Sequence, residues 1–471
     1  MKFMLLTAQK KETVKIWVCQ ETSPVGSILP PMDLAYIAAA IRSKGQEVML
    51  FDMRLVDEPL QKLQEKVAAY KPDYVIINLA TTSANQDFET LHAIPSSIKK
   101  ICYGTHAQTF PDECFAKGID FILVGDPEVA VMNLIDNNFD GIKSEGVLMK
   151  EHKEKAPAWT NELDMLPFAA LDLLDLGKYH APYLKGKYMI MLSSRGCPFP
   201  CTFCLYPVFF GKKYRFRSAK NIVDEMQQAQ ERYGVNEFFF LDATFNSNEK
   251  KVMDLSNEII QRGLKISWIC NMRAPGVRQE MLDAMKKAGC DRIFYGVEDP
   301  DFLVEVQKGA TWKQTVDAFH ATKKAGIKTV AFMMLFDRED ITEDQYVKKM
   351  LRELRELQAD SFQCNVAVPF PGTKLYQEYL QSTHLAEDWT LFDPGGERLP
   401  YSTKLNLPNI KRKIYVRFAF TSPKIIFKTI TQMRLKSVAA ISKRFFHYLW
   451  QDIGSISLTQ AIQLHKNSEK N

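Results

Sequence analysis

The sequence predicts an α/β protein made of two successive strand–helix series, a doubly wound parallel sheet and then a partial barrel, followed by a helical tail. Three observations predict it. Short apolar runs alternate with helically periodic segments through residues 1–140; the alternation restarts at Tyr188; and it stops near residue 385, ahead of a Lys- and Arg-rich tail that begins at Lys404. The 471 residues are 46% hydrophobic and 25% charged, enough for two or three domains with ample cores. Nine cysteines cannot all pair, and their clustering argues for metal ligation in a reducing cytoplasm. Met1–Leu6 is too short an apolar run for a secretory leader, and no run approaches the roughly 18 apolar residues of a membrane span.

In order along the chain, the first series places strands at Phe3–Leu6, Val48–Phe51, Tyr74–Leu79, Lys100–Tyr103 and Phe121–Val124. Leu34, Ile37, Ala38 and Ile41 recur at helical spacing, and Gly45 sits where that helix would stop. Strands joined by helices give a parallel, flavodoxin-like (Rossmann-like) sheet whose ligand crevice lies beyond the strand carboxyl ends. The loops there are small or turn-prone: Pro30-Pro31 before the first helix, Thr81-Thr82-Ser83, Gly104-Thr105-His106 and Gly125-Asp126-Pro127-Glu128. Such clusters let backbone approach a large flat ligand. Residues 141–185, with a charged run at Glu151–Pro157, read as a linker.

The second series, residues 186–384, starts with Tyr188–Leu192 and continues with apolar runs at Phe238–Leu241, Ile266–Ile269, Arg292–Tyr295, Thr329–Leu335 and Ser361–Val368. Helices at Asn221–Tyr233 and Gln279–Lys287 separate some of them, which suits a partial (β/α)6 barrel of TIM type. Directly after its first strand stand Cys197, Cys201 and Cys204. Three thiolates from one loop can hold three irons of a four-iron, four-sulfur (4Fe-4S) cluster and leave the fourth iron open to bind something else. Polar groups at other strand ends share this rim: Asp242 and Thr244, Asn271 and Arg273, and Glu298. Cys270, Cys290 and Cys364 read as buried small hydrophobes, and Cys19, Cys102 and Cys114 lack cluster spacing.

At the cysteine loop the chain resembles the radical S-adenosylmethionine (radical SAM) superfamily, in which the open iron binds the amino and carboxylate groups of S-adenosylmethionine. The segments Asp242–Phe245, Trp268–Arg273, Ala288–Glu298, Lys308-Gly309 and Pro369–Thr373 resemble its cobalamin-associated, methyltransferase-like branch. The loops of residues 1–140 are similar to the cobalamin-binding domain that precedes many such modules, which implies corrin contacts at Pro31, Thr82, Ser83, Gly104, His106, Gly125 and Glu128. The resemblance further implies Phe203 beside the adenine, Glu298 on the ribose or methionyl end, Asp242 near the sulfonium and Arg273 among the cofactor contacts. Two departures stand out. No Asp-x-His-x-x-Gly element is present to supply a histidine to cobalt, and Phe336–Asp340 replaces the family's glycine-rich turn after the fifth strand.

Residues 385–471 form an irregular stretch that could cover the barrel mouth, then two basic helical segments, Ile410–Phe420 and Ser422–Leu449. Between Lys404 and Arg444 there is no Asp or Glu, although the whole chain carries only +5. Such helices either pack an apolar face on the barrel or lie peripherally on an anionic inner-membrane surface. No nucleic-acid module accompanies the charge. The expected activity is reductive cleavage of S-adenosylmethionine with methylation of a lipid or natural-product intermediate, fed by a flavodoxin or ferredoxin. A radical SAM cyclase or rearranging enzyme without net methylation, and a catalytically silent, membrane-associated iron–sulfur partner protein, are the alternatives.

Overall fold

Continuous apolar runs become central strands. In the computed structural model, which describes residues 1–7, 13–16, 19–22 and 27–422 with isolated positions between 431 and 448, the first series is β1 (Lys2–Leu6), β2 (Thr13–Ile16), β3 (Cys19–Thr22), α1 (Met32–Ser43), β4 (Glu47–Phe51), α2 (Pro59–Tyr70), β5 (Tyr74–Asn78), α3 (Ala84–His92), β6 (Lys99–Tyr103), α4 (Thr105–Thr109), α5 (Pro111–Ala116), β7 (Phe121–Leu123), α6 (Pro127–Asp136) and β8 (Val147–Leu148). The sheet order is β4-β1-β5-β6-β7-β8, parallel except for the antiparallel edge strand β8. β5 is buried at every position, as a parallel strand covered on both faces must be. The winding direction reverses between β1 and β5, the place where such sheets open a crevice. β2 and β3 form a separate hairpin.

The second series is β9 (Tyr188–Met191), β10 (Ser194–Arg195), α7 (Tyr206–Phe210), β11 (Arg215–Phe216), α8 (Ala219–Tyr233), β12 (Glu237–Phe240), α9 (Glu249–Gln261), β13 (Ser267–Met272), α10 (Gln279–Lys287), β14 (Cys290–Gly296), α11 (Trp312–Lys324), β15 (Lys328–Leu335), α12 (Glu343–Leu357), β16 (Ser361–Val366), α13 (Lys374–Ser382) and α14 (Leu407–Thr421). Six strands pair in sequential order, β9-β12-β13-β14-β15-β16, all parallel. β9 and β16 remain edges, so the barrel is open. The strong amphipathic helices carry good caps; Thr311 and Thr342 each close a capping box at the start of α11 and α12.

One helix belongs to both halves. α1 is buried along Met32–Ile41 on all its faces, because it lies between β1 and β4 of the first sheet and β9 of the second. Tyr36 Oη at its centre donates to Glu225 on α8 (3.1 Å), and Arg42 at its end pairs with Asp172 (2.8 Å). Tyr179 from the connecting segment donates to Asp52 (3.0 Å), so residues after 140 bind back onto the first sheet.

The irregular stretch after α13 runs from the end of β16, where Val366 N donates to Pro394 O (3.2 Å), across to the N-terminal sheet. There half-buried Trp389 lies against His106 and Phe110, with ring centroids 5.1 and 4.9 Å away, and its Nε1 donates to Glu113. It therefore covers the N-terminal rim as well as flanking the barrel. α14 packs on the barrel: Tyr415 stacks on Phe362 of β16, while Lys413 and Arg417 pair with Glu343 and Asp344 on α12. The second basic segment, Ser422–Leu449, lies outside the described residues apart from isolated positions. Among the described residues no helix is long and apolar enough to cross a membrane.

Candidate active site

β10 and β11 pair antiparallel, with Arg195 opposite Arg215, and close the base of the loop that carries the three cysteines. Gly196 makes the entry turn at φ +83°, and a Cβ there would lie 2.0 Å from Lys213 O. The loop backbone is pinned by Cys197 N to Gly211 O (3.0 Å), Thr202 N to Val306 O (3.1 Å) and Cys204 N to Cys201 O (3.2 Å). All three thiols are free. Burial pushes the Cys197 thiol up and the Cys204 thiol up to about 12, and the neighbouring loop sulfurs add to both rises. Neutral thiols grouped this way give up their protons when metal binds. Among the described residues no trio of His, Cys, Asp or Glu converges on a single-ion site, whereas an iron–sulfur cluster takes each thiolate on a separate iron. The donor set fits that group.

The ends of β13 and β14 close over this loop. Arg273 is buried; its Nη1 lies 3.5 Å from Cys201 Sγ, its Cζ 3.8 Å from the centre of the Phe199 ring, and its Nη2 donates to the carbonyl of Lys308. Asn246 clasps the Arg273 backbone, accepting from its N–H and donating to its carbonyl. Lys308 pairs with Glu298 at 2.5 Å and stands 5.9 Å from the Phe203 ring. Glu298 holds φ +62°, a left-handed conformation rare for a residue with a Cβ, while its N–H donates to Phe332 O (3.0 Å). Cys201, Phe203, Arg273 and Glu298 therefore come together as the rim reading expects, with Lys308 linking them.

Asp242 is placed differently. Fully buried, it accepts from both N–H groups and both hydroxyls of Ser193 and Ser194, at 2.6–3.2 Å. Burial outweighs these bonds and raises its carboxyl above the usual range. Its carboxylate is engaged in holding the turn that leads into the cysteine loop. Asn271 Oδ1 on β13, by contrast, is a buried acceptor with no hydrogen-bond partner.

The N-terminal rim uses most of its polar groups internally. Pro31 precedes α1 and lines a narrow cavity with Thr7, Asp33, Arg54 and Asn78 at the β1/β5 switch point. Thr82 is half-buried, and Ser83 donates to Asp87 (2.8 Å). Gly104 has φ +115°, and a Cβ there would lie 2.4 Å from both Asn78 Oδ1 and Leu79 O, so it serves strand packing. His106 is completely buried among Phe88, Phe110 and Trp389, with Nε2 3.2 Å from Glu113. Gly125 bridges to Ala158. Glu128, expected at the crevice, instead forks onto Arg195 (2.8 and 3.0 Å), and Asp126 takes both Arg195 and Arg215. Burial pushes the Asp126 carboxyl up, but the two guanidiniums prevail and its pKa is lowered.

Residues 191–354 match the model of the radical SAM superfamily. An uncharacterized methyltransferase of Pyrococcus horikoshii is 30% identical over 428 residues, which cover 86% of this chain and 91% of that protein. The chain belongs to the radical SAM superfamily. It is therefore a radical SAM enzyme, using a 4Fe-4S cluster and S-adenosylmethionine. An anaerobic magnesium-protoporphyrin IX monomethyl ester cyclase of Cereibacter sphaeroides is 25% identical over 459 residues, 90% of this chain and 69% of that protein. The cobalamin-dependent S-adenosylmethionine radical enzyme OxsB, solved with aqua-cobalamin and S-adenosylmethionine bound, shares the fold with a TM-score of 0.69 at 15% identity, over 95% of this chain and 71% of OxsB.

Around this radical SAM loop, the residues that sequence reasoning missed are Lys308, Tyr214, Arg195 and Arg215. Tyr214 Oη sits 3.9 Å from Cys197 Sγ. Lys308 carried a signal, as the lone cation in the Lys308-Gly309 phrase after the fourth strand. Nothing local ties Arg195 to Asp126, 69 residues earlier.

Proposed function

We propose that this radical SAM enzyme is cobalamin-dependent and methylates an unactivated carbon of a small-molecule intermediate of lipid or natural-product type. The observation that carries the reading is the meeting of the two rims at the cysteine loop. α4, from the N-terminal crevice, packs against α7, which begins two residues after Cys204, and Thr109 and Val208 both border Gly372. When bound, the cluster and S-adenosylmethionine supply one-electron cleavage to a 5′-deoxyadenosyl radical, and cobalamin supplies the methyl carrier.

The chain's own residues then bind, orient and exclude water. Cys197, Cys201 and Cys204 would hold three irons and leave the fourth for the methionyl amino and carboxylate groups. The Glu298–Lys308 pair and the unpaired acceptor of Asn271 suit adenosine hydroxyls and the charged amino-acid end, with Phe203 offering a face to the adenine. On α4, Gln108 Nε2 is a buried donor without a partner, the kind of group an amide carbonyl at a corrin edge would satisfy. In this reading residues 1–140 hold the corrin, residues 186–384 hold the cluster and S-adenosylmethionine, and a flavodoxin or ferredoxin delivers the electron. Similarity to the cyclase of Cereibacter sphaeroides favours a second reading, ring formation without net methylation.

Anaerobic reconstitution with iron and sulfide tests the proposal. Wild type should show the cluster's visible absorbance, form 5′-deoxyadenosine under reduction, and bind hydroxocobalamin. Cys201→Ala should form no 5′-deoxyadenosine. A protein that takes up a cluster but has no affinity for hydroxocobalamin refutes the methylation mechanism. Methyl-deuterated S-adenosylmethionine separates the two readings, because only methylation carries the label into product.

A further inference from the structure

We propose that Arg273 sets the reduction potential of the cluster by donating a hydrogen bond from its guanidinium to the sulfur of Cys201. The inference rests on the cysteine trio holding the cluster. Arg273 is 6% exposed just past the end of β13, and its head group is held by several neighbours. The Phe199 ring centre lies 3.8 Å from its Cζ, Nη2 is tied to the carbonyls of Lys308 and Gly309, and Asn246 holds its backbone from both sides. Those anchors leave Nη1 directed at Cys201 Sγ, 3.5 Å away.

Charge makes this contact matter. A guanidinium stays protonated at any working pH, and a thiolate bound to iron is a better acceptor than a thiol. The other cation at the site, Lys308, is neutralised by Glu298 at 2.5 Å. The partners of Arg273 among the described residues are carbonyls, an aromatic ring and a sulfur, none of them a carboxylate. An uncompensated positive charge therefore sits beside one cluster ligand in a low-dielectric rim. One-electron reduction adds a negative charge to the cluster without making or breaking a bond. A donor and a cation at the sulfur stabilise that reduced form and raise the potential. Arg273 thus acts through Cys201, as a positioning and tuning residue.

The test compares wild type with Arg273→Gln, which loses the charge, and Arg273→Lys, which keeps the charge but loses the planar fork. Each is reconstituted anaerobically, assayed for iron, and titrated with titanium(III) citrate while the reduced cluster is followed by electron paramagnetic resonance, with no S-adenosylmethionine present. Arg273→Gln should keep its iron and shift the midpoint negative by about 59 mV or more, a tenfold loss in the one-electron equilibrium constant. Arg273→Lys should fall between. A wild-type midpoint in both variants with full iron overturns the inference. So does loss of the cluster from both, since Arg273 would then hold the loop together instead of tuning it. A wild-type protein that takes up no cluster at all refutes the proposed function and leaves this contact without an object.

Discussion

The two sheet rims face each other across the cysteine loop, yet they use their polar groups in opposite ways. On the N-terminal rim, Asp33, Asp52, Asp126, Glu128 and His106 are buried and joined to neighbours of the protein itself. On the barrel rim, an open trio of thiols is ringed by Arg273, Lys308 and Glu298, and Asn271 keeps an unused acceptor. The difference teaches that the first rim spends its carboxylates on packing and keeps Gln108 Nε2 as a buried donor without a partner, whereas the barrel rim gathers its polar groups around the thiols. The Arg195 and Arg215 guanidiniums, at the base of the cysteine loop, fasten one to the other.

That comparison can be broken most forcefully at the fastening. Arg195→Met leaves Asp126 buried with Arg215 as its remaining cation and strips Glu128 of the guanidinium it forks onto, and losing one partner of a buried charge network costs about 3–5 kcal/mol. Denaturant unfolding should show this loss, with iron retention falling in parallel because Gly196 and Cys197 follow directly. Retention of wild-type stability would mean that the two rims do not depend on the clamp.

A smaller effect tests whether the N-terminal rim is packed against itself. Gly104→Ala puts a Cβ onto Asn78 Oδ1 and Leu79 O at 2.4 Å and holds Ala at φ +115°. Strain of this kind costs about 1–3 kcal/mol, and thermal melting should fall accordingly with the cluster intact. An unchanged melting temperature would show that the β5 and β6 ends have room to yield.

The smallest effect separates the two regions by pH. Asp126 has a lowered pKa, so its stabilisation is present above the unfolded carboxyl's value of 3.8 and is lost as the pH falls through the still lower folded value. Glu353, behind the barrel rim, behaves oppositely. Burial raises its carboxyl from 4.5 to about 7, although Lys349 lies 2.8 Å away. The folded chain then binds more protons than the unfolded chain between pH 4.5 and 7, so stability is greatest below that window and declines as the pH rises through it. Glu353→Gln should flatten this decline in melting temperature. A variant with the wild-type slope would show that Glu353 titrates normally.

Much of this architecture was legible in the sequence. The strand at Phe3–Leu6 and the helix at Gln279–Lys287 emerge with those limits or one residue more, because apolar period and length decide them locally. The cysteine trio was legible for the same reason, since one loop carries it. The use of Glu128 was not. Its position after the fifth strand suggests a crevice, yet its carboxylate meets a guanidinium 67 residues later. Trp389 likewise gave no hint that it would cross to His106, 283 residues before it (389 − 106). The loop Phe336–Asp340, which departs from the family's glycine-rich turn, is braced by a stack of Phe336 on Phe302 (4.8 Å) and by Arg338 on Asp301 (2.8 Å), contacts that no local pattern specifies.

The amino-acid order by itself determined the alternation of strands and helices, the parallel sheets that follow from it, and a sulfur triad able to hold iron. Those features depend on side-chain period, chain connectivity and the chemistry of a few adjacent residues. Tertiary structure alone decided which carboxylates became fasteners, which cation was left uncompensated at Cys201, and which aromatic covers the N-terminal rim. Each of those outcomes depends on what lies opposite after burial, where the gain from a partner must exceed the loss of water, and neighbours in space are not neighbours in sequence.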